Sequence, residues 1–247
     1  MLEKLLDLVI PSRCAACGAR GEPCCARCRV VWGAVREVTR VPTTGVVRVF
    51  SLARYCGVGR RLLLAYKERG RRDLAPPLGL ALAEAVVELP LGEAAGASVS
   101  RAWGEAAAPP RASAEVAVPS ASAPARVTLV PAPSRPSALR VRGGPHIERL
   151  ANAAAEALAA RGVEVAVAPA LELAGSARDA VGLGRAERVA NLAGRLRFRE
   201  AGRPPPGYPV VVLDDVVTTG ATAAACARAL AAAGVTVSAV LTLLSAG

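Results

Sequence analysis

The chain has 247 residues, of which 53% are hydrophobic and 3% aromatic, and its formal net charge is +11. This length suits one domain of ordinary size plus a small appendage, and the charge favours anionic partners such as phosphates or nucleic acid. The apolar N-terminal run is too short for a signal peptide and contains Glu3 and Asp7, which predicts a short amphipathic helix and a cytoplasmic protein. The longest uncharged stretch, 229–247, changes from a helical to a strand pattern at Gly234, so no membrane span is expected.

Two C-x2-C pairs stand near the N-terminus, Cys14 with Cys17 and Cys25 with Cys28. Each pair can turn two thiolates toward one ion, and two pairs complete a tetrahedral zinc site with no open position. Cys24 offers a second register, but only Cys25 keeps the two-residue spacing to Cys28. In a cytoplasmic chain, metal explains clustered cysteines better than disulfides do. The pattern therefore predicts a structural zinc module.

Composition divides the chain into an N-terminal helix and four-cysteine module over 1–40 and a larger α/β domain over 45–247. Within that domain, 92–125 is rich in Ala, Pro, Ser, Gly and Glu without periodicity, which is typical of a disordered insertion. The two remaining cysteines, Cys56 and Cys226, stand in apolar contexts and are expected in the core.

After the insertion, apolar runs alternate with helical patterns, which predicts a doubly wound parallel sheet. The predicted strands are 127–131, a run from Val163, 210–213 and 235–244, and the predicted helices are 145–160, 185–192 and 222–233.

An acidic pair and a hydroxyl-rich loop follow the third of these strands. Asp214 and Asp215 come after the apolar run VVVL, at the edge where open α/β sheets bind ligands. Two carboxylates suit a vicinal diol or a divalent cation. The loop Thr218-Thr219-Gly220-Ala221-Thr222 then leads into a helix, whose free N–H groups suit a phosphate. Because no Lys follows the Gly, this is not a Walker A loop. A diol beside a monophosphate is the outline of ribose 5-phosphate.

This segment resembles the motif with which type I phosphoribosyltransferases bind 5-phosphoribosyl diphosphate (PRPP). Together with the cysteine pairs, the whole chain resembles the ComF family, which is linked to competence and DNA uptake. The further strings that carry this resemblance are LLLAYKERG at 62–70, VPAPSR at 130–135, RVRG at 140–143 and RAERVAN at 185–191. Together with the cysteine pairs and the segment around the acidic pair, they spread the resemblance over nearly the whole chain except the insertion at 92–125.

The resemblance implies a type I phosphoribosyltransferase fold and roles for named residues. Asp214 and Asp215 are implied to contact the ribose hydroxyls, and Thr218 through Thr222 the 5-phosphate, with Mg²⁺ accompanying PRPP. The residues implied to bind the pyrophosphate moiety are Lys67, Ser134, Arg135, Arg140 and Arg142.

The chain departs from the family at two places. Gly144-Pro145-His146 stands where Phe-Asn-Gln is common, and Ala180 where a Gln is common. His146 is expected to begin a helix rather than to act in catalysis, because Pro145 suits the first helical position.

Two functions of different classes are compatible with these residues. The first is a PRPP-binding phosphoribosyltransferase that releases pyrophosphate. The second is a non-catalytic nucleotide-sensing or DNA-handling module, whose zinc site docks a partner such as a DNA-uptake helicase. Basic residues between 48 and 72 form either a solvated helix face or a rim for PRPP or single-stranded DNA, on which Tyr55 and Tyr66 would stack bases.

Overall fold

A computed structural model describes residues 12–91, 124–134, 144–173 and 195–247 of the chain. The N-terminal helix predicted before residue 12, nearly all of the predicted insertion and the helix predicted at 185–192 lie outside the described residues. Within these ranges, no helix is long and apolar enough to cross a membrane.

The described part is built on a six-stranded sheet with the order β1-β2-β8-β7-β3-β4. Every neighbouring pair is parallel except β1 with β2, and β5 and β6 form a separate antiparallel pair. The strands are β1 (Arg36–Glu37), β2 (Val49–Arg54), β3 (Arg126–Pro131), β4 (Glu164–Val167), β5 (Leu171–Leu173), β6 (Leu196–Phe198), β7 (Val210–Val217) and β8 (Ala239–Ser245). The mixed α/β class and the mostly parallel sheet agree with the sequence prediction.

Helices cover both faces of this sheet. They are α1 (Ala26–Arg29), α2 (Gly57–Glu68), α3 (Ala75–Glu88), α4 (His146–Ala159) and α5 (Ala221–Ala232). The apolar strands are buried on both faces, and successive side chains alternate between the two. Val211 and Leu213 of β7 pack in the cluster that includes α2, α3 and α4, whereas Val210 and Val212 pack in the one that includes α5.

The chain changes direction along the sheet between β3 and β7. After β3 it crosses through α4 to β4 on one side, and after β7 it crosses through α5 to β8 on the other. Because these connections leave adjacent strands in opposite directions, a crevice opens at the carboxyl ends of β3 and β7, where doubly wound sheets bind ligands. Pairing of β7 with β3 ends at Leu213, while pairing with β8 continues to Val217.

The boundaries of the two described helices after the insertion are confirmed, whereas several strand boundaries differ. The run predicted as one strand from Val163 divides into β4 and β5, which belong to different sheets. The helix predicted at 145–160 is α4 and the one at 222–233 is α5, each within a residue or so. The prediction for β7 was too short, because the strand continues through the acidic pair to Val217. The prediction for β8 began too early, because the strand starts only at Ala239.

The cysteine module packs on the same hydrophobic cluster as α2, α3 and α4. Cys14, Cys24 and Cys28 are buried there beside side chains of these helices. The Arg71 guanidinium also donates a hydrogen bond to the Arg13 carbonyl at 2.9 Å.

Close packing of α3 against α4 depends on Gly79. A Cβ at this position would lie 2.5 Å from the Ala153 Cβ and 2.7 Å from its carbonyl carbon. Alanine at a helix interior normally adds about 1 kcal/mol of stability over glycine, but here the helices would have to separate. Gly79→Ala should therefore lower the free energy of unfolding by about 2 kcal/mol in urea titrations. Gly33→Ala is the matched control, because nothing lies within 4 Å of a Cβ there, and an equal effect of both variants would contradict this account.

Candidate functional site

Four cysteines come together in the N-terminal module. The sulfur atoms of Cys14, Cys17, Cys25 and Cys28 all lie within 4.8 Å of one another, and those of Cys17 and Cys25 are 3.6 Å apart. Tetrahedral zinc with Zn–S bonds of about 2.3 Å requires sulfur atoms separated by about 3.8 Å. The four cysteines are therefore placed closely enough to bind one zinc ion.

The pKa values of the clustered thiols are shifted in different directions. Burial raises the pKa of Cys14, but backbone hydrogen bonds from Cys25, Cys17 and Ala16 outweigh it and lower the pKa to about 6. Burial and hydrogen bonds among the neighbouring cysteines raise the pKa of Cys28. The cluster thus already favours a thiolate, the form that binds metal.

The other cysteines have different surroundings. Cys24 is buried outside the cluster, and burial raises its pKa to about 11, so the register with Cys25 is the one that the geometry supports. Cys226 lies in the core as predicted, with no exposed surface. The same prediction for Cys56 was wrong, because it immediately precedes α2 and is exposed.

The acidic pair lies at the crevice between β3 and β7, within the strand rather than after it. Because neighbouring side chains of a strand point to opposite faces, the two carboxylates separate. Asp215 lies on the face of α2 and α4, and Asp214 on the face of α5. The Asp214 Oδ1 atom accepts the N–H of Asp215 at 2.8 Å.

The Asp215 carboxylate is buried and has two polar partners, Lys67 and His146. Its Oδ2 atom lies 2.5 Å from the Lys67 Nζ atom of α2 and 3.1 Å from the His146 Nε2 atom of α4. Burial raises the pKa of this carboxyl, but the His146 hydrogen bond and the Lys67 charge outweigh burial and lower the pKa to about 2. Asp215 is therefore a carboxylate near neutral pH, and it can only accept hydrogen bonds.

The pKa of the Asp214 carboxyl is shifted in the opposite direction to that of Asp215. Burial and the neighbouring Asp215 charge raise its pKa to about 7. It shares a small hollow of about 20 Å³ with Thr218, Gly220 and Thr222. A carboxyl group that holds its proton in part of the molecules can both donate to and accept from a ligand hydroxyl.

The hydroxyl-rich loop turns directly into α5. Gly220 precedes the helix with a φ of +81°, a conformation that favours glycine, and is packed so closely that a Cβ would lie 2.8 Å from the Arg40 Cβ. The Arg40 guanidinium donates to the Thr218 carbonyl at 2.7 Å and to the Ala246 carbonyl at 2.7 Å, which holds the loop against the last strand. The first N–H groups of α5 have no acceptor within their helix. That of Ala221 donates to the Thr219 hydroxyl at 3.4 Å, and Ala221, Thr222 and Ala223 line the hollow.

Ser134 lies on the other side of the crevice, just after β3. Its Oγ atom is 3.3 Å from the His146 Nδ1 atom, and it lines an open cleft of about 250 Å³. That cleft also contains Glu148 at the start of α4 and Glu172 beside Arg199.

The predicted site residues therefore fall into two places. The four cysteines form one cluster. At the crevice, Asp215 meets Lys67 directly and Ser134 through His146, whereas Asp214 shares a hollow on the other face of the sheet with Thr218, Gly220 and Thr222. Arg135, Arg140 and Arg142 lie outside the described residues, as does Ala180.

Sequence reasoning missed some of the crevice residues. His146 does begin α4, as predicted, but its buried imidazole also bonds Ser134 and Asp215. The missed signal was that a buried imidazole at a helix start needs two hydrogen-bonding partners. Arg40 was also missed, because no local pattern shows its contacts with residues 178 and 206 positions later. Stacking of a base on Tyr66 was a wrong prediction, since Tyr66 is buried and donates to the His146 carbonyl at 2.7 Å.

Comparison with known proteins adds no family: no protein-family model matches the chain, and no curated protein matches it either. The resemblance to the ComF family accordingly remains a prediction.

The zinc register gives a direct test. The purified protein should hold about one Zn²⁺ per chain. Cys25→Ser should release it, because one of the four clustered sulfur atoms is lost, whereas Cys24→Ser should keep it. Metal content by elemental analysis, with thermal melts before and after chelation, measures both effects. Equal retention in the two variants would contradict this register.

The acidic pair should affect stability in opposite directions. The Asp214 carboxyl has a pKa near 7 when folded and about 4 when unfolded, so it lowers the free energy of unfolding as the pH rises from about 4 to about 7. Asp214→Asn should remove that loss and stabilise the protein at pH 8. Asp215, with a lowered pKa, contributes stability that is present above pH 4 and lost as the pH falls toward 2.

Asp215→Asn should therefore destabilise the protein at neutral pH, by on the order of 2 kcal/mol, because Lys67 loses its carboxylate partner. Urea unfolding of both variants at pH 5 and pH 8 measures these changes. Similar effects of the two substitutions would show that the carboxylates are not in different environments.

Proposed function

We propose that this chain binds PRPP in the crevice between β3 and β7, with Mg²⁺ as the counterion of the diphosphate, and acts as a phosphoribosyltransferase. The observation that carries the proposal is the arrangement around Asp214. A carboxyl group, the loop residues Thr218 and Thr222 and the N-terminus of α5 meet at a change of chain direction in a parallel sheet. This combination supports a ribose hydroxyl beside a phosphate monoester.

The positive charge of Lys67, beside Asp215, suits the diphosphate. The Lys67 ammonium has three N–H donors, of which the ion pair with Asp215 needs one. Its side chain is 23% exposed, and we propose that the remaining donors meet the anionic ligand. Ser134 lies on the same side, joined to Asp215 through His146, and the resemblance assigns pyrophosphate contacts to both Lys67 and Ser134.

The proposed reaction is a substitution at C1 of the ribose. The acceptor forms a bond to C1 and gives up its proton to the departing pyrophosphate or to solvent, while the bond from C1 to the diphosphate oxygen breaks and its electron pair leaves with pyrophosphate. The carboxyl group of Asp214 would support the ribose as positive charge develops, and Lys67 would stabilise the departing diphosphate. We assign the acceptor to the cleft beside Ser134, where Glu148 and Glu172 suit a small molecule with N–H or O–H donors.

A separate basic surface favours the second candidate, a DNA-handling module. Arg27 of the cysteine module, Arg36 and Arg54 line an open cleft of about 630 Å³, and the Arg60 guanidinium lies 5.7 Å from the Tyr55 ring centre. Arginines with an accessible aromatic ring suit single-stranded nucleic acid. Of the two tyrosines predicted for this role, Tyr55 remains, half-buried against the core cluster.

Removal of one hydroxyl group tests the proposed phosphate contact. Thr222→Val keeps the side-chain volume and removes a predicted phosphate donor, so the affinity for Mg·PRPP should fall about tenfold in calorimetric titrations. Thr236→Val is the control, because Thr236 is exposed just before β8, at the opposite end of the sheet. Unchanged affinity in a folded Thr222→Val protein, or no binding by the unmodified chain, would contradict the proposal.

Turnover separates the two candidates. Pyrophosphate release from Mg·PRPP should appear with one member of a panel of bases and amines. Binding without release across the panel, together with single-stranded DNA binding that Arg27→Ala and Arg54→Ala weaken, would favour the non-catalytic module.

A further inference from the structure

The imidazole of His146 connects the two sides of the crevice. Its Nδ1 atom meets the Ser134 hydroxyl beyond β3, and its Nε2 atom meets the Asp215 carboxylate on β7. Its carbonyl accepts the Tyr66 hydroxyl at 2.7 Å, which fixes the start of α4 to α2. The side chain is only 7% exposed, so both ring nitrogens depend on these two partners for their hydrogen bonds.

The chemistry of the partners sets the direction of each hydrogen bond. Asp215 is a carboxylate with Lys67 beside it, so it accepts and the Nε2 atom must donate. In the neutral ring the Nδ1 atom is then an acceptor, and the Ser134 hydroxyl must donate to it. The hydroxyl hydrogen is thereby turned toward α4, and the lone pairs of the Ser134 oxygen are turned toward the cleft, where they would meet the Mg²⁺ that accompanies the diphosphate rather than the diphosphate oxygens.

We propose that His146 is a positioning residue that holds the Ser134 hydroxyl in a fixed orientation relative to the Asp215 carboxylate across the crevice. The inference rests on the proposed function, because it concerns how that ligand site is assembled. A role in helix capping alone does not account for the contacts. Both imidazole nitrogens bond residues outside α4, and each of those residues lies at one lip of the same crevice.

Two substitutions separate the hydrogen bonds from side-chain volume. Glutamine carries an N–H donor and a carbonyl acceptor on one side chain, so His146→Gln can donate to Asp215 and accept from Ser134. Leucine fills similar space and can do neither. His146→Gln should therefore keep the hydrogen bonds to Asp215 and Ser134, which His146→Leu loses.

The first measurement needs no ligand. The chain contains a single histidine, so long-range ¹H–¹⁵N correlation spectra report its ring nitrogens without ambiguity. Near pH 8 the spectrum should show the proton on Nε2, and Ser134→Ala should shift the Nδ1 signal. Ser238→Ala, which removes a hydroxyl at the opposite end of the sheet, should leave both signals unchanged. A proton on Nδ1, or an Nδ1 signal insensitive to Ser134→Ala, would overturn the inference.

The second measurement is a double-mutant cycle on Mg·PRPP affinity. Ser134→Ala should weaken binding about tenfold in the unmodified chain and in His146→Gln, but less than about twofold in His146→Leu, where the hydroxyl has already lost its orientation. An equal loss in all three backgrounds would show that Ser134 acts without His146 and would overturn the inference alone. Absence of binding by the unmodified chain would instead overturn the proposed function, and the spectra would still decide the hydrogen-bond geometry. Should His146→Leu not fold, those ligand-free spectra carry the test.

Discussion

The Asp215 carboxylate is buried, and a buried charge is tolerated in a protein only when it is paired and hydrogen-bonded. Lys67 supplies the charge from α2 and His146 the hydrogen bond from α4, so one oxygen atom joins two helices to β7. Through His146 the same interaction reaches Ser134 and the end of β3. The Asp215 carboxylate therefore fixes the positions of Lys67, His146 and, through His146, Ser134 relative to β7.

Strand geometry gives the two acidic residues different tasks. Because neighbouring side chains alternate, a strand that continues through both residues sends Asp215 into the helical layer and leaves Asp214 beside the loop from Thr218 to Thr222. Their pKa values separate in consequence, one lowered by partners and the other raised by burial and its neighbour's charge. On the proposed function, Asp215 organises the crevice and Asp214 meets the ribose.

Local patterns in the sequence were sufficient to predict the cysteine cluster and the class of the fold. Two C-x2-C pairs were enough to predict the cysteine cluster, and the alternation of apolar runs with helical patterns was enough to predict a parallel sheet. The polar contacts within the crevice could not be predicted in the same way. Arg40 meets Thr218 and His146 meets Asp215 only because the fold brings distant segments together. The strand end was misjudged for a related reason, since pairing with β8, rather than local composition, carries β7 on to Val217.

Hydrogen exchange of the backbone amides tests the central claim most directly, because it reports where a ligand binds. Addition of Mg·PRPP should slow exchange in the loop 218–222 and the first turn of α5, whose N–H groups are proposed to meet the phosphate. Exchange at the opposite end of the sheet, before β8, should not change. Unaltered exchange in the loop at saturating ligand, or slowing confined to the basic surface around Arg27, Arg36 and Arg54, would contradict the assignment of the crevice as the PRPP site.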